Sequence, residues 1–191
     1  MKKSKHTPYK KSSRKGGLIL FFGIVAILIV LLIVVNQLSN QAASKGKDFL
    51  DRQLQISVET FPSEGDTHTE QPVSYATFPP TSGPHSATPA GYGFYETAPP
   101  FENLVHSLEH GDIVIYYQPT LPEDQLNELR ELTTIKYMGS GVLAVPNADI
   151  SAPVVATAWT KMMTLDAFDA EALKQFMHDY LYEGPEKLPM Q

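Results

Sequence analysis

Gly111 divides two stretches that do not belong to one element. Before it, His106 and His110 stand four residues apart with Glu109 beside the second, so all three side chains share one face of a helix. After it, Asp112-Ile113-Val114-Ile115-Tyr116-Tyr117 reads as a buried strand. Glycine is the usual residue just past a helix end. The stretch therefore predicts a helix no longer than Phe101 to His110, a stop and a strand, with two imidazoles placed to hold one metal ion.

Around this centre the chain changes character several times. Lys2, Lys3, Lys5, Lys10, Lys11, Arg14 and Lys15 open it, and no charge follows from Gly16 to Val35. Twenty such residues at about 1.5 Å each match the roughly 30 Å core of a bilayer. The alternative is a cleaved signal peptide, whose apolar part runs to only about 7–15 residues. The expectation is a single-pass transmembrane helix over 16–35, with a basic cytoplasmic tail over 1–15 by the positive-inside rule. The membrane is then a partner, 36–60 is a juxtamembrane spacer with a helical part from Ala42 to Gln53, and 61–191 is an extracytoplasmic domain.

Charge excludes one class of function. Seven of the 15 basic residues lie in the tail, which leaves eight against all 21 acids and a formal balance of −13 for the remainder. Phosphate binding needs a basic surface, so nucleic acid is not an expected partner. Cysteine is absent, which removes disulfides, thiolate metal sites and CxxC redox chemistry and leaves His, carboxylate, Met or backbone groups as the available ligands.

From Phe61 to Phe101 the chain is dense in Pro, Gly, Ser and Thr, which excludes helix through most of it. Large side chains recur there (Val73, Tyr75, Phe78, Tyr92, Phe94, Tyr95), so an ordered loop folded over a site is expected. After the central stretch, Pro122 to Leu132 reads as a helix, Val142–Val145 and Val154–Trp159 as strands, and Asp169–Leu181 as a helix capped by Asp169. The fold class is α+β: the transmembrane helix, then one mixed α/β layer domain with a proline-rich loop, a short helix and β-α-β-β-α. That order is compatible with a thioredoxin-like arrangement without its redox cysteines.

The blocks Pro79-Pro80-Thr81-Ser82-Gly83-Pro84-His85, Tyr92-Gly93-Phe94-Tyr95 and Leu104-Val105-His106-Ser107-Leu108-Glu109-His110-Gly111-Asp112, with Ala158-Trp159 and Gly184-Pro185-Glu186, resemble the DUF3105 family from about Asp66 to Glu186. The resemblance implies a bacterial membrane-anchored or secreted domain with no established activity, and it adds His68 to the candidate positions.

Three readings of the histidines follow. In the first, His85, His106, His110 and His68 bind zinc or copper, while Glu109, Tyr92 and Tyr95 orient the imidazoles through hydrogen bonds. Met162 or Met163 would favour Cu(I) if a sulfur reached the site. In the second, the same groups form the polar core of a structural or protein-binding module with a partner in the cell envelope. In the third, His106-Ser107-Leu108-Glu109-His110 is an H-x-x-E-H hydrolase motif with Glu109 as base, although no downstream glutamate ligand stands out. Ser82 and Ser107 are nucleophile candidates without a G-x-S-x-G turn. His178, on the last helix, reads as an ordinary side chain.

Overall fold

A five-residue strand of Ile, Val and Tyr with no charge needs cover on both faces. Ile113–Tyr117 (β3) has it, being buried at every position in the computed structural model, which describes residues 27, 29–35 and 54–186. The chain divides into two compact units, Met1–Asp48 and Phe49–Gln191, and the second carries the sheet. Six strands lie in the order β1-β6-β5-β3-β4-β2, with β1 Glu59–Thr60, β2 Gly93–Phe94, β4 Val142–Pro146, β5 Val154–Ala158 and β6 Lys161–Leu165.

The parallel pair β3 and β4 is joined through the helix α2 (Glu123–Leu132), as a parallel crossover requires. On the other side of β3, β5 and β6 form an antiparallel hairpin. Strand β6 extends the expected order, and β1 and β2 are two residues each, too short to leave a period in the sequence. Ile56 and Val58 already pack against the core, and Leu54 N–H donates to Gln175 Oε1 at 2.8 Å.

Alternation along the strands makes two cores. Ile113, Ile115, Val142, Ala144, Val154, Ala156 and Met163 meet Leu129 and Leu132 of α2 and Leu173, Phe176 and Met177 of α3 (Ala170–Tyr180). Val114, Tyr116, Leu143, Val145, Val155 and Met162 meet Leu104 and Leu108 of α1 (Phe101–Glu109). Met162 and Met163 thus lie in opposite cores, and both are accounted for by packing. The expected cap of α3 is present: one carboxylate oxygen of Asp169 accepts from Glu171 N–H and Ala172 N–H, each at 3.0 Å, an arrangement worth about 1 kcal/mol.

The membrane expectation is corrected. Among the described residues no helix is long and apolar enough to cross a membrane. Within 16–35, Ile27 and the run from Ile29 to Val35 are described, and they are helical. The expectation rested on the length and hydropathy of an uncharged run, and no described helix supplies the span. The single-pass topology, the extracytoplasmic placement, the membrane as partner and a cell-envelope partner all rested on that span and fall with it. The basic tail over 1–15 and the helical part from Ala42 to Gln53 lie outside the described residues.

Asp112 connects α1 to β3 and is buried, with its Oδ1 accepting from Gly141 N–H at 2.8 Å. Burial pushes its carboxyl up to about 7, against the smaller downward pull of that hydrogen bond. The folded state therefore holds a proton between pH 3.8 and about 7 that the unfolded chain releases, so this group's contribution is full below pH 3.8, falls across that window and is lost once pH has risen through about 7. Asp112→Asn keeps the acceptor and removes the charge. In chelator, its urea midpoint is expected to exceed that of the unaltered protein at pH 8, by the equivalent of a few kcal/mol in order of magnitude, and by clearly less at pH 5, the two converging only below pH 3.8. Equal differences at the two pH values would contradict the assignment.

Candidate metal centre

The site is built on the face of α1 that the sheet does not use. Leu104 and Leu108, four apart, are fully buried against the sheet, and burial of each contributes about 1.5–3 kcal/mol. At ~100° per residue, His106, Glu109 and His110 fall on the opposite arc. The helix ends by a Schellman arrangement: Gly111 N–H donates to Leu108 O and Asp112 N–H to Ser107 O, both at 3.0 Å, with Gly111 at φ +85°. This stop holds His110 at the helix cap.

The proline-rich segment supplies the other wall. Pro79, Pro80, Thr81, Ser82, Gly83 and His85 are buried. His68 and His85 face each other across an isolated parallel bridge, in which Thr69 N–H donates to His85 O at 2.7 Å and His85 N–H to Thr67 O at 3.0 Å. Their rings lie 5.0 Å apart, and each lies 5.0 Å from the ring of His106, which His68 stacks on and His85 meets edge-on. His110 meets His106 edge-on at 4.4 Å.

Backbone carbonyls set the ring tautomers. A carbonyl only accepts, so His85 Nδ1–H donates to Gly83 O at 2.7 Å and His106 Nδ1–H to Ser86 O at 2.6 Å. In the neutral rings each Nε2 then carries a lone pair directed into the cluster. His85 Nε2 lies 3.0 Å from Glu109 Oε2, and His106 Nε2 lies 3.0 Å from His110 Nε2. His68 Nε2 stands 3.8 Å from the same Glu109 oxygen. Burial holds the His106 imidazole below its ordinary pKa, against the opposing effect of its bond to Ser86, and so favours the neutral ring.

A second carboxylate arrives from the end of the domain. Glu186 Oε2 lies 3.3 Å from His110 Nε2. The turn that carries it is stitched to the end of α1: Tyr182 N–H donates to Gly111 O at 2.8 Å, and Glu186 N–H to Glu109 O at 3.1 Å. Gly184 permits the approach, since a Cβ there would overlap Glu109 O and Gly111 N. Ligand atoms of His68, His85, His106 and Glu109 all lie within 4.8 Å of one another, and so do those of His106, Glu109, His110 and Glu186. The cluster is capable of coordinating a metal ion.

The four candidate histidines and Glu109 therefore meet, and the described contacts of the two candidate tyrosines are with other groups. Tyr92 packs over Gly141, with Lys136 Nζ 4.5 Å from its ring centre. Tyr95 holds the loop, its hydroxyl on Gly91 O and its N–H on Ala144 O. Ser107 donates its hydroxyl to Ala90 O at 2.8 Å, and Ser82 accepts from Glu64 N–H at 3.0 Å, so both serve the loop. His178 contacts Asp179 on α3. Glu186 was not legible as a site residue, because Gly184-Pro185 reads as the end of a helix; a carboxylate directly after that turn is the only local signal.

Residues 67–190 match the family described as "Protein of unknown function (DUF3105)". The chain belongs to the DUF3105 family. No curated protein and no solved structure matches it. Within the DUF3105 region lie all six residues of the cluster, so the family match and the two donor groups coincide on the chain.

Gly184→Ala forces backbone against backbone at the Glu186 turn. The variant is expected to lose about 1–3 kcal/mol in chemical unfolding, the usual cost of overpacking. Unchanged stability would show that the turn is not locked on α1 as described.

Proposed function

We propose that this chain binds a transition-metal ion, zinc or copper, in the histidine and glutamate cluster. The observation that carries the reading is a surplus of facing acceptors. With Nδ1 of His85 and His106 committed to carbonyls, both Nε2 lone pairs share one donor group with the Glu109 carboxylate, and Glu186 joins His106, Glu109 and His110 in the other. His85 Nε2 and Glu109 Oε2, 3.0 Å apart, are two acceptors that need a proton or a cation between them. A cation within a donor group satisfies its acceptors at once and offsets carboxylate charge.

The donor set supports the choice of metal. Imidazole nitrogen and carboxylate oxygen suit Zn²⁺ and Cu²⁺. Ligand atoms around a tetrahedral ion stand about 3.3–3.4 Å apart, given bonds of about 2.0–2.1 Å, and the 3.0 and 3.3 Å separations here are close to that. Both methionines that would argue for Cu(I) are buried in the cores. Glu109 is buried and engaged with His85, which favours a binding role over that of a free general base.

The test uses stability and fluorescence together. Zn²⁺ or Cu²⁺ at about 100-fold excess over Kd is expected to add about 2.7 kcal/mol, or roughly 8–10 °C in Tm for a domain of this size. Trp159, the single tryptophan, lies 6.2 Å from the His85 ring, so paramagnetic Cu²⁺ in the cluster quenches its emission while Zn²⁺ does not. His85→Ala/His106→Ala, which takes a donor from each side of the cluster, removes both effects. A Tm unmoved by either metal would contradict metal binding and leave the cluster as a hydrogen-bonded polar core.

A further inference from the structure

The cluster contains more ligands than one zinc or copper ion uses. A tetrahedral ion takes about four donors, and six side chains converge here. How they divide is set by the tautomers. His106 has one lone pair, at Nε2, because Nδ1–H is spent on Ser86 O, so it serves a single ion. Its Nε2 lies 3.0 Å from His110 Nε2, and Glu186 Oε2 lies 3.3 Å from that same nitrogen, which groups His106, His110 and Glu186. On the other side, His85 and His68 both direct Nε2 at Glu109 Oε2, at 3.0 and 3.8 Å. Glu109 belongs to both sets, and a carboxylate has two oxygens with which to bridge.

We propose that the cluster is a two-ion site, one ion held by His68, His85 and Glu109 and the other by His106, His110 and Glu186, with the Glu109 carboxylate as the bridge. The proposal rests on the metal-binding reading and adds its stoichiometry and its ligand partition. Two ions sharing a carboxylate stand about 3.5–4 Å apart, a spacing that the overlap of the two donor groups accommodates. Each half has one outer ligand, His68 with its side chain 49% exposed and Glu186 with 53%, while His85, His106 and Glu109 are buried between them. Solvent thus reaches both halves at the outer ligand. With three protein donors on the His68 side, that ion keeps a coordination position for water or a small anion.

Native mass spectrometry of the full chain, purified without a polyhistidine tag, stripped with chelator, reloaded with Zn²⁺ and desalted, reads the stoichiometry directly. Two ions are expected in the unaltered protein and one in each of His68→Ala and Glu186→Gln, with circular dichroism unchanged in both. A single ion in the unaltered protein overturns the two-ion site and leaves the single-ion reading standing. Two ions retained in both variants place the second ion elsewhere on this acidic chain and equally overturn it. No ion in the unaltered protein overturns both readings.

Discussion

The proline-rich segment is tied to α1 by a row of hydrogen bonds, and the site exists because of it. Ser86 N–H donates to Glu102 O, Ala90 N–H to Asn103 O, Val73 N–H to the Glu102 carboxylate, Asn103 Nδ2–H to Thr88 O and Ser107 Oγ–H to Ala90 O. Each bond is worth only about 1 kcal/mol net, but together they satisfy a loop backbone that has no ladder of its own. The Ser86 carbonyl at the centre of this row receives His106 Nδ1–H, so the same seam that places the loop also fixes the ring. Without it His68 and His85 have no reason to meet His106.

Beneath that seam the sheet acts as a base. Leu104 and Leu108 fix α1 against the sheet face that carries Val114, Tyr116 and Leu143, and the Schellman turn at Gly111 ends the helix before its imidazoles can rotate off the cluster. The C-terminal turn closes the opposite side through Gly111 O and Glu109 O. Gly111 and Gly184 are at once the point of closest backbone approach and the reason Glu186 reaches His110.

What could be read from the sequence was what is local. Helix, stop and strand around Gly111 lie within 17 residues, Phe101 to Tyr117, and Asp169 announces its own helix cap. The pairing of His68 with His85 spans a long loop, and only the family resemblance suggested that both belong with His106. Glu186 comes from 76 residues beyond His110 through a turn whose Gly-Pro chemistry signals an ending, so its only marks in the sequence are a carboxylate after that turn and its place in a block of the family resemblance. Tyr92 and Tyr95 make their described contacts with Lys136, Gly91 and Ala144, and an aromatic in a loop near histidines looks the same in sequence whether it orients an imidazole or covers a strand end. The span over 16–35 was inferred from hydropathy alone, and no described helix is long and apolar enough to supply it.

The account depends on a cation occupying the space among facing acceptors. Crystals of the Zn²⁺-loaded protein, measured on both sides of the zinc absorption edge, test this most directly. The account predicts anomalous density within about 2.0–2.2 Å of His106 Nε2, His110 Nε2 or a Glu109 oxygen. An anomalous map with no peak in the cluster, and zinc only at surface carboxylates, would contradict it.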